Sequence, residues 1–231
     1  MRLSSSPEGL QSMIVDVDNH ETAFMEQLTN ESDMYVVYKK GESAVSKDGF
    51  VCSTEKSSSL VGKTISPLVT DQELRRFRIA ISASGEYTDF HGGTVAGALA
   101  AINATLTRIN EVFETDFGVS LELVPNNDLI IFTDEASDPY SGNLKAQVQS
   151  TLTSTIGEAN YDVGHLFTKV ELASQNNGNA GFIGSVCSDN RKGSAFSATS
   201  IPQGDVFDLD FVSHELGHQF GANHTLSFEG E

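Results

Sequence analysis

Residues 211–227 read FVSHELGHQFGANHTLS. Three of the six histidines in the chain fall here, at positions 214, 218 and 224. His214 and His218 are four residues apart, so on a helix they stand one turn above each other on one face. Two imidazoles so placed can share one divalent metal ion. Glu215 then points beside the metal, where its carboxylate can take a proton from a water on the ion. Gly221 follows His218 by three residues, and His224 follows Gly221 by three. Glycine reaches positive φ without a steric penalty, so Gly221 can end the helix and turn the chain sharply. Such a turn brings His224 back as a third nitrogen ligand. Three protein ligands leave a fourth position for water, which marks a catalytic zinc site more than a structural one. The spacing predicts one zinc ion on His214, His218 and His224, with Glu215 as general base.

The rest of the composition bounds the setting. The chain has 231 residues, 39% of them hydrophobic, which suffices for a sizeable core. Its net charge is −18, from 32 acidic against 14 basic residues. Such a surface repels phosphate backbones and anionic lipid, so neither nucleic acid nor membrane is expected as a partner. No apolar run approaches the length of a membrane span. The opening MRLSSSPEGL lacks the apolar core of a signal peptide. Either the protein is not exported, or the sequence lacks its true N-terminus; the second is the preferred expectation. Oligomeric state is not legible.

Along the chain, residues 1–70 read as irregular, with strand-like alternation at 13–18 (MIVDVD) and 33–40 (DMYVVYKK) and a short helix at 20–28 (HETAFMEQL). Residues 47–72 are rich in Ser, Thr, Gly and Lys and read as a linker. From Glu73 the pattern changes. A buried strand is expected around Phe77–Ser82. Val95, Leu99, Ile102, Leu106, Ile109 and Phe113 recur at helical spacing, and Gly118 ends that helix. Strands are expected at 119–124, 128–132, 163–170, 180–187 and 194–197, a second helix at 142–157, and the histidine helix after Asp205. Strands alternating with long helices predict an α/β fold with a mixed, mostly parallel sheet packed with two long helices. The histidine motif then lies on the second of these or on a third. A boundary near residue 72 separates 1–72 from 73–231.

The full pattern H-E-L-G-H-Q-F-G-A-N-H (214–224) resembles the H-E-x-x-H-x-x-G-x-x-H signature of the metzincin metallopeptidases. The order of elements over about residues 73–225 is similar to the reprolysin (adamalysin) branch, of bacterial type. That resemblance implies a zinc-dependent endopeptidase, secreted, acting on protein or peptide substrates. It implies that residues 1–72 are the remnant of a propeptide. It also implies that Gly181, Phe182, Ile183, Gly184, Ser185 and Val186 form the edge strand that aligns substrate. Thr225 stands where reprolysins usually carry an acid. The family has a methionine turn after the third histidine, and Thr225–Glu231 contain no methionine. The expectation is therefore an N-terminal subdomain plus zinc helix, cut short at the C-terminus. The rival reading is a zinc-binding adhesion or recognition module without proteolysis; the intact Glu215 speaks against it.

Smaller features leave alternatives open. Cys52 and Cys187 can form a disulfide in an exported protein or remain free. Alternatively Cys52 is a zymogen switch, a thiolate that fills the open zinc position and keeps the enzyme latent. Asp205, Asp208 and Asp210 read as helix-capping acids; the alternatives are a Ca2+ cluster, or for one of them a hydrogen-bond partner to a ligand histidine. His91 reads as a surface or capping residue.

Overall fold

The run Phe77–Ala83 alternates between two cores instead of between core and water. Ile79, Ala80, Ile81 and Ala83 are all fully buried. Such a strand belongs inside a sheet covered on both faces. In the computed structural model, which describes residues 1–6, 9–16, 18–19, 21–28, 33–40, 50–55, 73–170 and 177–224, this is β5 (Arg75–Ala83), flanked on both sides by parallel partners. The five-stranded sheet runs in the order β6 (Val119–Leu123), β5, β7 (Val163–Lys169), β9 (Ala195–Thr199), β8 (Gly178–Asn179). Its first four strands are parallel and β8 closes the edge antiparallel. The fold class is the expected mixed α/β.

Helices cover both faces. After the short α1 (Gly85–Phe90), α2 (Val95–Phe117) starts at Thr94, whose side chain accepts from the Gly97 N–H, and stops at Gly118. Its stripe of Ala98, Ile102, Leu106, Ile109 and Phe113 packs on Ile79, Ile81, Val163 and Phe167. α3 (Leu144–Thr155) sets Val148 and Leu152 against Ala80, Leu166 and Phe196. Odd and even positions of one strand thus meet different helices, as a pleated strand requires. A π-helical stretch, Val206–Val212, runs directly into α4 (Ser213–Gln219) on the α2 side. Among the described residues no helix is long and apolar enough to cross a membrane.

Several expected elements differ. Residues 20–28 were read as a helix, but Glu21–Gln27 form β3, paired on both sides. It sits in a second, four-stranded antiparallel sheet with β1 (Arg2–Ser6), β2 (Gly9–Asp16) and β4 (Tyr35–Lys39), in chain order. Pairing outweighs the helical propensity of Glu, Ala and Met there. The described residues up to Lys40 are therefore largely regular, not irregular. Residues 128–132 are not a strand either: Asn127–Ile130 is a 3₁₀ turn, with Ile131 bridged to Ala83. The Asn127 amide bonds both the N–H and the C=O of Ile81, each at 2.8 Å, and so supplies what a strand would have supplied. Finally, residues 180–187 are a chain of turns, with Gly181, Gly184 and Cys187 at positive φ. The edge strand lies just before them, at Gly178–Asn179.

The two sheets meet on α2. β1 and β2 lie against it, and one buried cation ties the layers together. Arg108 of α2 donates to Asp208 at 2.7 Å and to Glu26 of β3 at 3.1 Å, with its guanidinium 4.9 Å from the Phe24 ring centre. The Thr105 hydroxyl completes the Asp208 carboxylate at 2.7 Å. Asp208 stands in the π-helical stretch before the histidines, so the N-terminal sheet and the histidine helix share one anchor.

Candidate metal centre and active site

The local backbone decides the site. α4 places His214 and His218 one turn apart, with ring centres 4.6 Å apart. At Gly221 φ is +108°, and the Ala222 N–H bonds back to the Gly217 carbonyl at 2.9 Å. This glycine turn returns His224 to the other two. His218 Nε2 lies 3.0 Å from His214 Nε2 and 3.2 Å from His224 Nε2. His218 Nδ1 faces the Ala222 carbonyl at 2.7 Å. A carbonyl only accepts, so Nδ1 carries the proton and Nε2 offers its lone pair to the cluster.

The donor set fits zinc. Four ligands arranged tetrahedrally at about 2.0–2.1 Å would put nitrogen atoms roughly 3.3 Å apart, close to the separations seen. Ring hydrogens cannot satisfy three nitrogens packed so closely, whereas one divalent cation satisfies all of them. Burial, then the neighbouring imidazoles His218 and His224, push the His214 pKa down to about 4. Burial also lowers that of His218. Both rings are neutral, hence ready to ligate, at neutral pH. A fourth donor is already present: the Cys52 sulfur and the three histidine nitrogens all lie within 4.8 Å of one another. Among the described residues this is the one group of potential ligands.

Glu215 is fully buried beside the cluster. Its Oε2 accepts from the Thr54 hydroxyl at 2.9 Å, while Oε1 has no hydrogen-bond partner. Burial raises its pKa to about 7, with the Cys52, Thr54 and Ala180 contacts pulling partly against that rise. A carboxyl poised near neutrality is suited to taking and returning a proton. Gly178 makes room for it, since a Cβ there would lie 2.3 Å from Glu215 Oε1.

The segment around Cys52 lies as an extra strand outside β8, parallel to it. Ser53 N–H donates to the Gly178 carbonyl at 2.9 Å, and Asn177 N–H to the Val51 carbonyl at 3.3 Å. Phe50 packs on Phe211 and His214, ring centres 4.4 and 5.1 Å away. Cys52 and Cys187 are both free thiols, so the disulfide alternative is not formed. Residues 181–186, expected as a strand, form turns. Gly184 N–H and Val186 N–H are spent on the His218 and Gln219 carbonyls, at 2.9 and 3.3 Å, and so brace the end of α4. Gly181 N–H bonds Asn179 Oδ1 and Phe182 N–H the Ala180 carbonyl, both at 2.7 Å. Ile183 and Ser185 lie within the same turns. Asp205, Asp208 and Asp210 are outside the ligand group, and Asp208 is committed to Arg108. No side-chain cap is formed by Asp205. His91 caps α1 from a half-buried position, its Nε2 3.1 Å from the Pro202 carbonyl.

Sequence reasoning overlooked two groups behind α4. His165 is fully buried in β7, with Nδ1 3.2 Å from Gln219 Oε1 and Nε2 2.9 Å from Ser197 Oγ. Gln219 Nε2 donates to the Gly164 and Lys192 carbonyls at 3.1 and 3.2 Å. The signal was a glutamine directly after a ligand on the buried side of the motif. These bonds fix the helix that carries the ligands to the central sheet.

These histidines dictate an acid sensitivity. His91, His165 and His214 titrate near 4, each mainly through burial. Unfolded histidine titrates near 6.5, so as pH falls from about 6.5 to 4 the unfolded chain takes up protons that the folded one refuses. Stability is therefore complete above that window and lost within it. Glu215, raised to about 7, works in the opposite direction between about 4.5 and 7, as does the raised Asp208, but these two stand against four lowered histidines, His218 included. For His165 alone the shift is worth roughly 3 kcal/mol. The chelator-treated chain is expected to melt at progressively lower temperature from pH 6.5 to 4. A midpoint that stays flat or rises would contradict the burial of these rings.

A family model described as Metallo-peptidase family M12B Reprolysin-like matches residues 74–231, more than half of the chain. No curated protein matches the chain. The matched region holds the whole five-stranded sheet and the three clustered histidines. The chain belongs to the reprolysin-like M12B family of zinc metallopeptidases, whose substrates are proteins or peptides.

Proposed function

We propose that the protein is a zinc-dependent endopeptidase made as a secreted, latent precursor. The observation that carries this reading is the convergence of His214, His218 and His224 beside the buried, half-satisfied Glu215. His214, His218 and His224 would hold one zinc ion. When bound there, zinc polarises the scissile carbonyl and makes a neighbouring water acidic enough to attack near neutral pH. Glu215 Oε1 takes the proton of the attacking water and then delivers it to the leaving amine. A purely adhesive module would have no use for an unsatisfied carboxyl buried against its ligands, because such a group costs stability.

Extended substrate would pair with the β8 edge at Gly178–Asn179, by strand addition. Main-chain pairing of this kind does not require a chain end, which favours internal cleavage. That edge now carries residues 51–54, with Cys52 at the fourth ligand position. Residues 1–72 would thus be a propeptide and 73–231 the catalytic domain, with the thiol as a blocking ligand.

Protein purified without chelators is expected to carry about one zinc per chain. His218→Ala is expected to lose most of it, together with hydrolysis of peptide substrates. Metal analysis that finds no zinc, or zinc retained after substitution of all three histidines, would overturn the ligand assignment.

A further inference from the structure

The Cys52 thiol is not alone in occupying the site. Two residues on, the Thr54 hydroxyl donates to Glu215 Oε2 at 2.9 Å and accepts the Ala180 N–H at 2.7 Å. One hydroxyl thereby serves at once as donor and as acceptor. Thr54 is 7% exposed and Glu215 is not exposed at all, so water does not compete for either bond. The geometry follows from strand pleating. Residues two apart on an extended strand point to the same side, so Cys52 and Thr54 face the centre together. Ser53, between them, turns to the edge instead, where its Oγ and carbonyl meet the Asn179 amide, each at 2.8 Å.

Resting on the peptidase reading of this centre, we propose that Thr54 is a second latch. It holds the general base and an edge-strand amide while Cys52 holds the ligand position, so latency outlasts loss of the thiol. Three parts of the machinery are blocked by one short stretch: the fourth ligand position, the proton acceptor, and the Ala180 amide next to the substrate-pairing edge. Only the first depends on sulfur. Reagents or oxidants that consume the thiol leave the Thr54 bonds in place. Both latches open together only when the strand leaves the edge.

The test uses the full chain with Cys52→Ala, Thr54→Val, Thr54→Ser and the double change Cys52→Ala/Thr54→Val, each loaded with zinc. A hydrogen bond to a charged or strongly polarised carboxyl is worth about a factor of ten or more. Cys52→Ala is therefore expected to cleave a quenched fluorescent peptide at about a tenth of the rate of the double variant, or less. Equal rates for Cys52→Ala and the double variant would overturn the proposal. A second readout does not need catalysis: the rate at which a disulfide reagent modifies Cys52 in the zinc-free chain. Thr54→Val is expected to raise that rate about tenfold, and Thr54→Ser, which keeps the hydroxyl, to hold it near the parent value. An unchanged rate in Thr54→Val, or an equal rise in Thr54→Ser, would overturn the latch. If no variant cleaves peptide, the peptidase reading fails while the thiol rates still decide the role of Thr54.

Discussion

Glu215→Gln, in a chain unlatched by Cys52→Ala/Thr54→Val, is expected to keep its fold and zinc but lose peptide hydrolysis by a factor of about a hundred or more. The amide has nearly the shape of the carboxyl, so the space left by Gly178 still fits it. The three imidazole nitrogens, which make the metal site, are untouched. What disappears is the ability to accept a proton from the attacking water. The loss should therefore fall on kcat, with KM little changed, because the proposed substrate edge at Gly178–Asn179 is intact. The check is a pair of measurements on one sample: metal content and steady-state rates. Wild-type rates with zinc retained would remove Glu215 from the reaction. Zinc lost along with activity would instead make it a structural support of the ligands.

Arg108→Met is expected to have the largest effect on stability. Arg108 and Asp208 are each 2% exposed and 2.7 Å apart. Burial pushes the Asp208 carboxyl up, and the Arg108 charge is the strongest force holding it down. Removing one member of a buried pair leaves an uncompensated charge, at a cost of about 3–5 kcal/mol. In a chain of this size that lowers the thermal midpoint by roughly 10 °C. Arg108→Met/Asp208→Leu, which removes both charges, should lose less than the single change. Calorimetry that finds the single variant as stable as the parent would refute the pairing. The N-terminal sheet should loosen as well, since Glu26 loses the same guanidinium.

Much of the catalytic part was legible because its signals are local. The pattern 214–224 carries its geometry in its spacing: four residues for a helical turn, then a glycine for the return. α2 announced itself by apolar recurrence and a terminal glycine, and β5 by its short apolar centre, Ile79–Ile81. What failed depends on partners far away in sequence. Residues 21–27 have no preference strong enough to resist pairing on both sides. Ile130 and Ile131 look like a strand until Asn127 takes the strand partner's place. The family resemblance points to an edge strand at Gly181–Val186, through its glycines and the cysteine that follows. The two residues that actually pair, Gly178 and Asn179, have almost no β preference and are set there by Ser197 and Phe196 of β9. The role of Thr54 is invisible in a Ser/Thr-rich stretch, since nothing local distinguishes it from its neighbours.

The π-helical stretch Val206–Val212 bears on how this helix tolerates change in length. One helix has to aim Asp208 at α2 and, six residues later, His214 at the histidine cluster. In an α-helix each residue turns the chain by about 100°. A wide turn holds an extra residue and so shifts the later positions around the axis by about that amount, a device common at functional sites. Deleting a single residue between Asp208 and His214 would let the stretch settle into ordinary α geometry. The helix would be no worse as a helix, and because the wide turn had absorbed that residue, Asp208 and the histidines would still face their partners. A single deletion here should thus be tolerated better than a single insertion, which would turn the histidines by a further ~100° about the axis.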